Sequence, residues 1–159
     1  MNVAFFLVPK KEIIYLPLTG TMRQALEKME HHRYSAVPLI DKQGKYAGTI
    51  TDGALLWKLK NTPGLTFDGM EKILIKDIPR HRINRPVHIR AEIEELFKLA
   101  AIQNFVPVID DEEIFIGIIT RRRLLEYFTK LIIEKETVVK ERKKVIAMPG
   151  LDFSPEECF

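Results

Sequence analysis

Within the first sixty residues, apolar positions recur at helical spacing in one stretch and form short, strand-length runs elsewhere. Residues 21–31 carry apolar side chains at i, i+3, i+4 and i+7, which predicts a helix with one buried face: Met22, Ala25, Leu26 and Met29. Two apolar runs, 37–40 and 46–51, enclose a polar turn and predict a strand pair. A short strand at 12–16 and a helix at 52–60 complete a β-α-β-β-α unit.

The same pattern is written a second time further along the chain. The Val-Pro-Leu-Ile-Asp of residues 37–41 returns as Val-Pro-Val-Ile-Asp at 106–110. The Gly-Thr-Ile-Thr of residues 48–51 returns as Gly-Ile-Ile-Thr at 117–120. Both segments are shifted by 69 residues. An internal repeat at one fixed offset predicts two copies of one structural unit.

The second copy is expected to contain the same elements in the same order. A strand is predicted near Arg82, followed by a helix with an apolar face of Ile93, Leu96, Phe97 and Ala100. Strands at 106–109 and 114–120 follow, and a long helix starts near Arg121. Between the copies, residues 67–75 predict a linking helix.

A unit of this size exposes too much apolar surface to fold alone. Two units packed sheet to sheet about a pseudo-twofold axis bury that surface and leave two related clefts between them. We therefore predict an α/β (α+β) fold with repeat one at 1–66 and repeat two at 67–135. Residues 136–159 are predicted to be a charged helix extension and a loose tail.

Composition narrows the class of protein. The 159 residues are 46% hydrophobic and 30% charged, with a net charge of +3, which is typical of a globular chain. The single cysteine, Cys158, excludes an internal disulfide and a multi-cysteine metal site. The longest apolar run, 3–9, is too short to cross a bilayer. We predict a cytoplasmic protein without a membrane segment, and a nucleic-acid partner is disfavoured because a dense basic stripe is missing.

Candidate catalytic chemistry is sparse. The two serines, Ser35 and Ser154, do not lie in a nucleophile-elbow motif. The adjacent His31 and His32 point in different directions on a helix and make a poor chelate. The sequence also contains no Gly-rich phosphate loop. We predict that the protein is not an enzyme and holds neither a metal nor a cofactor.

The paired h-P-h-h-D and G-x-I-T segments resemble the CBS repeat, and residues 3–128 resemble one CBS pair, or Bateman module. The resemblance implies two β-α-β-β-α CBS repeats packed as a pseudo-twofold pair. It also implies a regulatory role, in which an adenosine-containing ligand binds between the repeats and the pairs form homodimers. In this chain, the apolar faces that such a dimer would bury are Leu55, Leu56 and Leu59, and Leu124, Leu125 and Phe128.

A narrower resemblance is to the stand-alone bacterial CBS proteins that bind cyclic di-AMP. It rests on the Asp-Ile-Pro-Arg of residues 77–80, the segment 117–122 and the Tyr-Ser-Ala of residues 34–36. These relatives imply signalling to a partner protein, such as a metabolic or alarmone-synthesising enzyme. The ligand expected from this resemblance is cyclic di-AMP.

The resemblance implies two sets of binding residues. The first cleft combines the start of one repeat with the end of the other: Ile14, Tyr34, Ser35, Ala36, Thr120, Arg121 and Arg122. The second cleft would use Thr51, Asp52, Asn84, Asn104 and Phe105. Because Arg121 and Arg122 supply phosphate-binding forks and Asp52 does not, we expect the first cleft to bind more strongly.

Alternatives remain open at this stage. The family often places an aspartate three residues after the threonine, where this chain has Ala54 and Arg123; this argues against ordinary AMP or ATP binding without excluding an AMP, ADP or ATP energy-charge sensor. A structural dimerisation domain with vestigial clefts is another reading. The arginines at 121–123 form either a phosphate site or a solvated basic turn. Tyr34 either borders a purine or lies at a strand edge.

Overall fold

A computed structural model describes residues 2–146 of the chain. These residues form short 3₁₀ helices at Val3–Phe6, Lys10–Glu12, Asp68–Lys72 and Ile75–Asp77. The strands and α-helices are β1 (Val8–Pro9), β2 (Leu16–Pro17), α1 (Met22–His32), β3 (Ala36–Ile40), β4 (Tyr46–Thr51), α2 (Asp52–Lys60), β5 (Val87–His88), α3 (Ile93–Ile102), β6 (Phe105–Ile109), β7 (Phe115–Thr120) and α4 (Arg121–Ile146). The chain divides after Arg123 into two compact units; the first contains both predicted repeats up to the start of α4.

The strands of the first unit form two sheets with the same pairing. The order β2-β3-β4 in one sheet corresponds to β5-β6-β7 in the other, with one parallel and one antiparallel pair in each. Ala36 lies opposite Thr51, and Phe105 lies opposite Thr120, so the register also repeats after 69 residues. This arrangement confirms the predicted mixed α+β fold with two equivalent units.

The two repeats are joined at both ends of their sheets. Strand β1, near the start of the first repeat, pairs antiparallel with β7 of the second repeat. At the turns, Lys45 forms a β-bridge with Ile114, and its Nζ lies 2.8 Å from Glu113 Oε2. These contacts hold the two sheets together. Each repeat alone is too small to bury its apolar surface, so the two repeats must pack against each other.

The core of the first repeat lies between its helices and its sheet. The predicted apolar face of α1 is buried there together with the inner residues of β3 and β4: Met22, Ala25, Met29, Val37, Leu39 and Ile50. Thr21 begins α1 with a capping box, in which its hydroxyl accepts from Gln24 N and the Gln24 side chain accepts from Thr21 N. In the second repeat, Leu96, Val106, Phe115 and Ile119 are buried.

Three predicted elements differ from the structure. Of the strand predicted at 12–16, only Leu16 is in a strand, the two-residue β2, since a 3₁₀ turn at Lys10–Glu12 occupies the start of the segment. Where a strand was predicted near Arg82, the chain has no regular structure until β5. The residue before Pro86 is restricted, and the N–H of Arg85 bonds instead to the Gln103 side chain.

The linking helix predicted at 67–75 is two 3₁₀ turns rather than one α-helix. Backbone groups at its end bond to the segment before α1: Met22 N donates to Ile73 O at 2.8 Å, and Ile75 N donates to Gly20 O at 2.8 Å. These tertiary bonds replace the bonds that a continuous helix would make. The helical extension predicted from the second repeat is present as α4. The predicted tail at 149–159, with Cys158, lies outside the described residues.

Candidate functional site

A cavity of about 730 Å³ opens in the first unit where the first turn of α2 meets the irregular segment 79–86, which we call the linker, and the end of α3. Its volume lies within the range of small-molecule sites, roughly 300–1,000 Å³. Seven of the residues singled out from the sequence line it: Ser35, Ala36, Thr51, Asp52, Asn84, Asn104 and Arg121. The cavity therefore draws on both repeats.

The two repeats present equivalent backbone at this cavity. Asp52 N donates to Ser35 O at 3.0 Å, and Arg121 N donates to Asn104 O at 3.0 Å. Each helix is capped by the preceding threonine, whose hydroxyl oxygen accepts a backbone N–H: Thr51 from Ala54 at 3.1 Å, and Thr120 from Arg123 at 3.2 Å. Because the oxygen only accepts in this cap, the hydroxyl proton of Thr51 remains able to donate into the cavity.

The Arg121 side chain is held by the end of α3. Its Nε donates to Ala100 O at 2.8 Å and to Gln103 O at 3.2 Å. A cation at this position neutralises the partial negative charge of the helix C-terminus. The guanidinium is therefore fixed by the protein, and its terminal nitrogens lie on the same rigid plane.

A network of hydrogen bonds holds the linker that forms one wall. The Tyr46 hydroxyl donates to Asn84 O at 2.9 Å and lies 2.7 Å from Thr49 Oγ1. Burial raises the pKa of Tyr46 to about 12. The Asn84 side chain donates to Phe105 O at 3.2 Å. The buried Gln103 amide donates to the same oxygen at 3.2 Å and bonds both backbone groups of Arg85.

The charged lining of the cavity is predominantly positive. Arg82 and Arg121 contribute guanidinium groups and Asp52 contributes one carboxylate, with His81 also on the wall. Asp52 Oδ1 accepts from Gly53 N at 2.7 Å, which orients the carboxylate at the start of α2. Trp57, 46% exposed, adds an aromatic ring to the same wall. The fixed guanidinium of Arg121, the second guanidinium of Arg82 and the Trp57 ring in one lining suit an anionic ligand with a planar base.

The structure groups the sequence-derived residues differently from the two separate clefts expected. Members of both sets line the one cavity, whereas Ile14, Tyr34, Phe105, Thr120 and Arg122 are not part of its lining. Ile14 packs against the core of the first repeat, and Tyr34 stacks on His32 with ring centroids 5.6 Å apart. Phe105 is buried, with its carbonyl accepting from Asn84 and Gln103.

Several lining residues were not selected as binding residues from the sequence: Gly53, Trp57, His81, Ile83, Ile102 and Gln103. The signal in the sequence that could have identified Trp57 is its position on the helix that begins at Thr51 and Asp52, one and a half turns after those two predicted site residues. Residues 81–83 lie in an irregular segment, and no local pattern indicates which cavity such a segment borders.

A groove of about 520 Å³ adjoins the cavity, since Arg82 and Ile83 line both. Here Arg80 Nη1 donates to Ala47 O at 3.0 Å beside Gly48. In the second repeat the corresponding glycine, Gly117, is covered by the backbone of Val8 in β1. Strand β1 therefore covers the glycine of the second repeat, whereas the equivalent glycine of the first repeat is covered only by the movable side chain of Arg80.

Residues 2–146, the described part of the chain, bear on two other types of site. No group of three or more histidine, cysteine, aspartate or glutamate side chains in this part of the chain is placed to hold a metal ion. None of the helices it contains has the length and apolar composition needed to span a membrane.

The family match to known proteins falls on the two repeats. The CBS domain family matches residues 7–61 and 75–130. The cyclic di-AMP receptor B of Bacillus subtilis (strain 168) is 26% identical over 136 residues, covering 82% of this chain and 88% of that protein.

Two solved structures share the fold at lower identity. CbpB in complex with c-di-AMP superposes with a TM-score of 0.75 at 22% identity, over 86% of this chain and 90% of that chain. CBSX2 in complex with AMP gives a TM-score of 0.65 at 20% identity, over 82% and 97%. The family match covers both repeats and most of the described chain, and the chain therefore belongs to the CBS domain family as a CBS pair.

Proposed function

We propose that this CBS pair is a cytoplasmic regulatory module that binds cyclic di-AMP in the cavity lined by Arg82, Arg121 and Trp57. The observation that carries the proposal is that two guanidinium groups and an aromatic ring line the same cavity. A cyclic dinucleotide has two phosphodiester charges and two purine rings. The two guanidinium groups can face its two phosphodiesters, and the Trp57 ring can stack on one of its purines.

Three details of the lining support a cyclic dinucleotide. Arg121 is fixed on α3 before a ligand arrives, so little entropy is lost when it bonds a phosphate. Thr51 keeps a hydroxyl proton to donate. Ala54 lies where the family often has an aspartate for ribose hydroxyls, and each ribose of a cyclic dinucleotide has one free hydroxyl where the ribose of AMP has two.

The proposed mechanism is a shift between two arrangements of the protein that differ in affinity for the ligand. A ligand can change the population only through its differential affinity. A partner protein that prefers one arrangement would then bind more tightly or more weakly when the cavity is filled. By linkage, the partner must change the ligand affinity by the same factor.

Homodimer formation is part of the proposal. Leu55 is buried in the core of its own repeat, whereas Leu56 and Leu59 are exposed. With Met22, Leu26 and Met70 they line an apolar groove of about 480 Å³ between α1 and α2. A twofold contact between two such grooves would bury these side chains in a self-complementary interface.

An AMP-type ligand is the second candidate, and Asp52 is the observation that favours it. A carboxylate at the cavity wall can accept hydrogen bonds from the two free ribose hydroxyls of AMP. The same carboxylate opposes additional phosphate charge. ADP and ATP would therefore gain less than AMP from this wall.

Calorimetric titration of the full chain with cyclic di-AMP, AMP and ATP side by side tests the proposal. We expect cyclic di-AMP to bind at least tenfold more tightly than either mononucleotide. Tighter binding of AMP would establish the second candidate instead. No heat with any of the three would leave a dimerisation domain with vestigial clefts as the function.

A further inference from the structure

The long helix α4 carries a seven-residue repeat that ligand binding does not explain. Pairs of adjacent aliphatic residues recur along it at 124–125, 131–132, 138–139 and 145–146. A strict period of seven drifts relative to a straight helix of 3.6 residues per turn, and a left-handed supercoil with another helix corrects that drift. The period therefore indicates a helical partner rather than a flat surface.

Leu124 is buried and Leu131 is half-buried, but the aliphatic side chains that follow Leu131 are exposed in the part of α4 whose side chains the structure describes. Ile132 is 58% exposed, and Val138 and Val139 are 48% and 50% exposed. An isolated helix gains little from propensity alone, so such a face normally serves to bury area against another element. The following paragraphs concern residues 127–142, which we call the α4 extension.

Two cations lie in the middle of the aliphatic face. Lys135 follows 131–132 by three and four residues and precedes 138–139 by three and four, so all four aliphatic side chains share its face. Arg142 repeats this position one heptad later. Each is directly preceded by a glutamate, Glu134 and Glu141.

These positions fit one heptad assignment. With Phe128, Lys135 and Arg142 at a, the d positions are Leu131 and Val138, and Glu134 and Glu141 occupy g. In a parallel two-stranded coiled coil, the g residue of one chain lies beside the following a residue of the other. Glu134 of each copy then meets Lys135 of its partner, and Glu141 meets Arg142, giving four complementary contacts in one register.

We propose that the α4 extensions of two copies of this chain pair as a parallel, in-register, two-stranded coiled coil. The seam cations set the register and the number of strands, at some cost in stability. The alternative of a helix lying on an anionic membrane fits less well. Its cations would belong on the polar face, whereas Lys135 and Arg142 lie at the centre of the apolar one.

Site-directed cross-linking tests the arrangement. In the full chain with Cys158→Ser, Lys135→Cys places one thiol at an a position of each strand, and mild oxidation is followed on non-reducing gels. We expect disulfide dimers to form at least tenfold faster than for Lys130→Cys, which lies off the aliphatic face. Equal rates for the two variants would overturn the proposal. Slow disulfide formation by the Lys135→Cys variant, together with co-sedimentation of the chain with phosphatidylglycerol vesicles, would also overturn it.

A charge exchange tests the register independently of any other dimer contact. One chain carries Glu134→Lys and Glu141→Lys, the other Lys135→Glu and Arg142→Glu, and both carry Val138→Cys in the Cys158→Ser background. A homodimer of either variant places like charges at the neighbouring g and a positions. A heterodimer of the two variants places opposite charges there. We expect the mixed disulfide to exceed both homodimers severalfold. A statistical 1:2:1 distribution would contradict the proposed pairing. Ligand titration of the same chains should be unchanged, which separates this inference from the proposed binding function.

Discussion

Hydrogen bonds within the protein hold the side chains of Asn84, Gln103 and Arg121 at the cavity before a ligand binds. Arg121 Nε donates hydrogen bonds to the carbonyl groups at the end of α3, and the same residue lines the cavity. This arginine therefore supports the fold as well as the site. Arg82 lies in the irregular linker and lines both the cavity and the adjoining groove. The two arginines therefore differ as targets for mutation.

Replacing Arg82 is the cleaner test of phosphate binding. We expect Arg82→Ala to weaken cyclic di-AMP binding about 10- to 100-fold, the loss of one charge-assisted hydrogen bond of roughly 1.5–3 kcal/mol. The melting temperature should change little because Arg82 is exposed. Calorimetry measures the affinity and thermal unfolding measures the stability.

The matched control is Arg90→Ala. Arg90 is an exposed arginine of the same unit that pairs with Asp111 and does not line the cavity. Its replacement should leave the affinity within twofold of the parent. An Arg82 variant that binds like the Arg90 variant would remove Arg82 from the site.

Tyr46 makes stability depend on alkaline pH. Its pKa is raised to about 12 in the folded protein, mainly by burial, against about 10 when unfolded. The neutral phenol therefore stabilises the fold fully below pH 10, and this contribution is lost as the pH rises through 12. By linkage, the loss amounts to about 2 kcal/mol across that window.

Tyr46→Phe should be less stable than the parent at pH 8, because the hydrogen bonds to Asn84 O and Thr49 are lost. Denaturant unfolding at several pH values should show this difference shrinking by about 2 kcal/mol between pH 10 and pH 12. Using the difference between the two proteins cancels the titration of exposed lysines. A difference that stays constant with pH would show that Tyr46 is not buried in this way.

At the scale of elements, the two repeats differ at their last strands. A Cβ added to Gly117 would lie 2.2 Å from Val8 O, because β1 packs directly on β7. At the equivalent Gly48, the nearest atom would be Arg80 Nη1 at 3.0 Å, the end of a flexible side chain. One repeat is therefore closed by backbone and the other by a group that can move.

We expect Gly117→Ala to destabilise the protein by roughly 2–4 kcal/mol, because β1 must leave β7 to make room. Gly53→Ala is the control: a Cβ there meets only ordinary contacts, at 3.8 Å or more, near the start of α2. That change should be neutral or stabilise by up to about 1 kcal/mol. Denaturant unfolding distinguishes the two, and equal effects would contradict the packing of β1 against Gly117.

At the scale of the whole molecule, the exposed apolar groove between α1 and α2 is the surface proposed for dimer formation. In a chain whose α4 pairing is broken by Lys135→Glu and Arg142→Glu, we expect Leu56→Glu to lower the dimer fraction at micromolar concentration at least tenfold, because the new carboxylate would have to be buried without a partner. Light scattering on the full chain gives the mass. Because cross-linking in the α4 extension is read separately, the two proposed contacts are distinguishable.

Lys60→Glu, on the same helix but outside the groove lining, is the matched control and should leave the mass unchanged. Cyclic di-AMP affinity should be retained in both variants, since Leu56 and Lys60 do not line the cavity. A Leu56→Glu protein that remains fully dimeric in a chain lacking the α4 contact would rule out this groove as an interface.

Local pattern was sufficient to determine the repeat, the order of its main elements and most of their bounds. The apolar spacing of α1 and the strand pairs at β3–β4 and β6–β7 depend on neighbours close in sequence, so hydrophobic period and turn residues define them. The offset of 69 residues reappears in the register of the strands. From these features alone the fold class could be predicted.

Tertiary structure alone decided how the candidate site is assembled. Residues assigned to two clefts line one cavity together, and Trp57 joins them. Strand β1 finds its partner 110 residues away, with Val8 opposite Ile118, and the linker near Arg82 follows the Gln103 amide rather than forming a strand. These outcomes depend on which groups satisfy each other's hydrogen bonds across the chain, and a local sequence window carries no information about such distant partners.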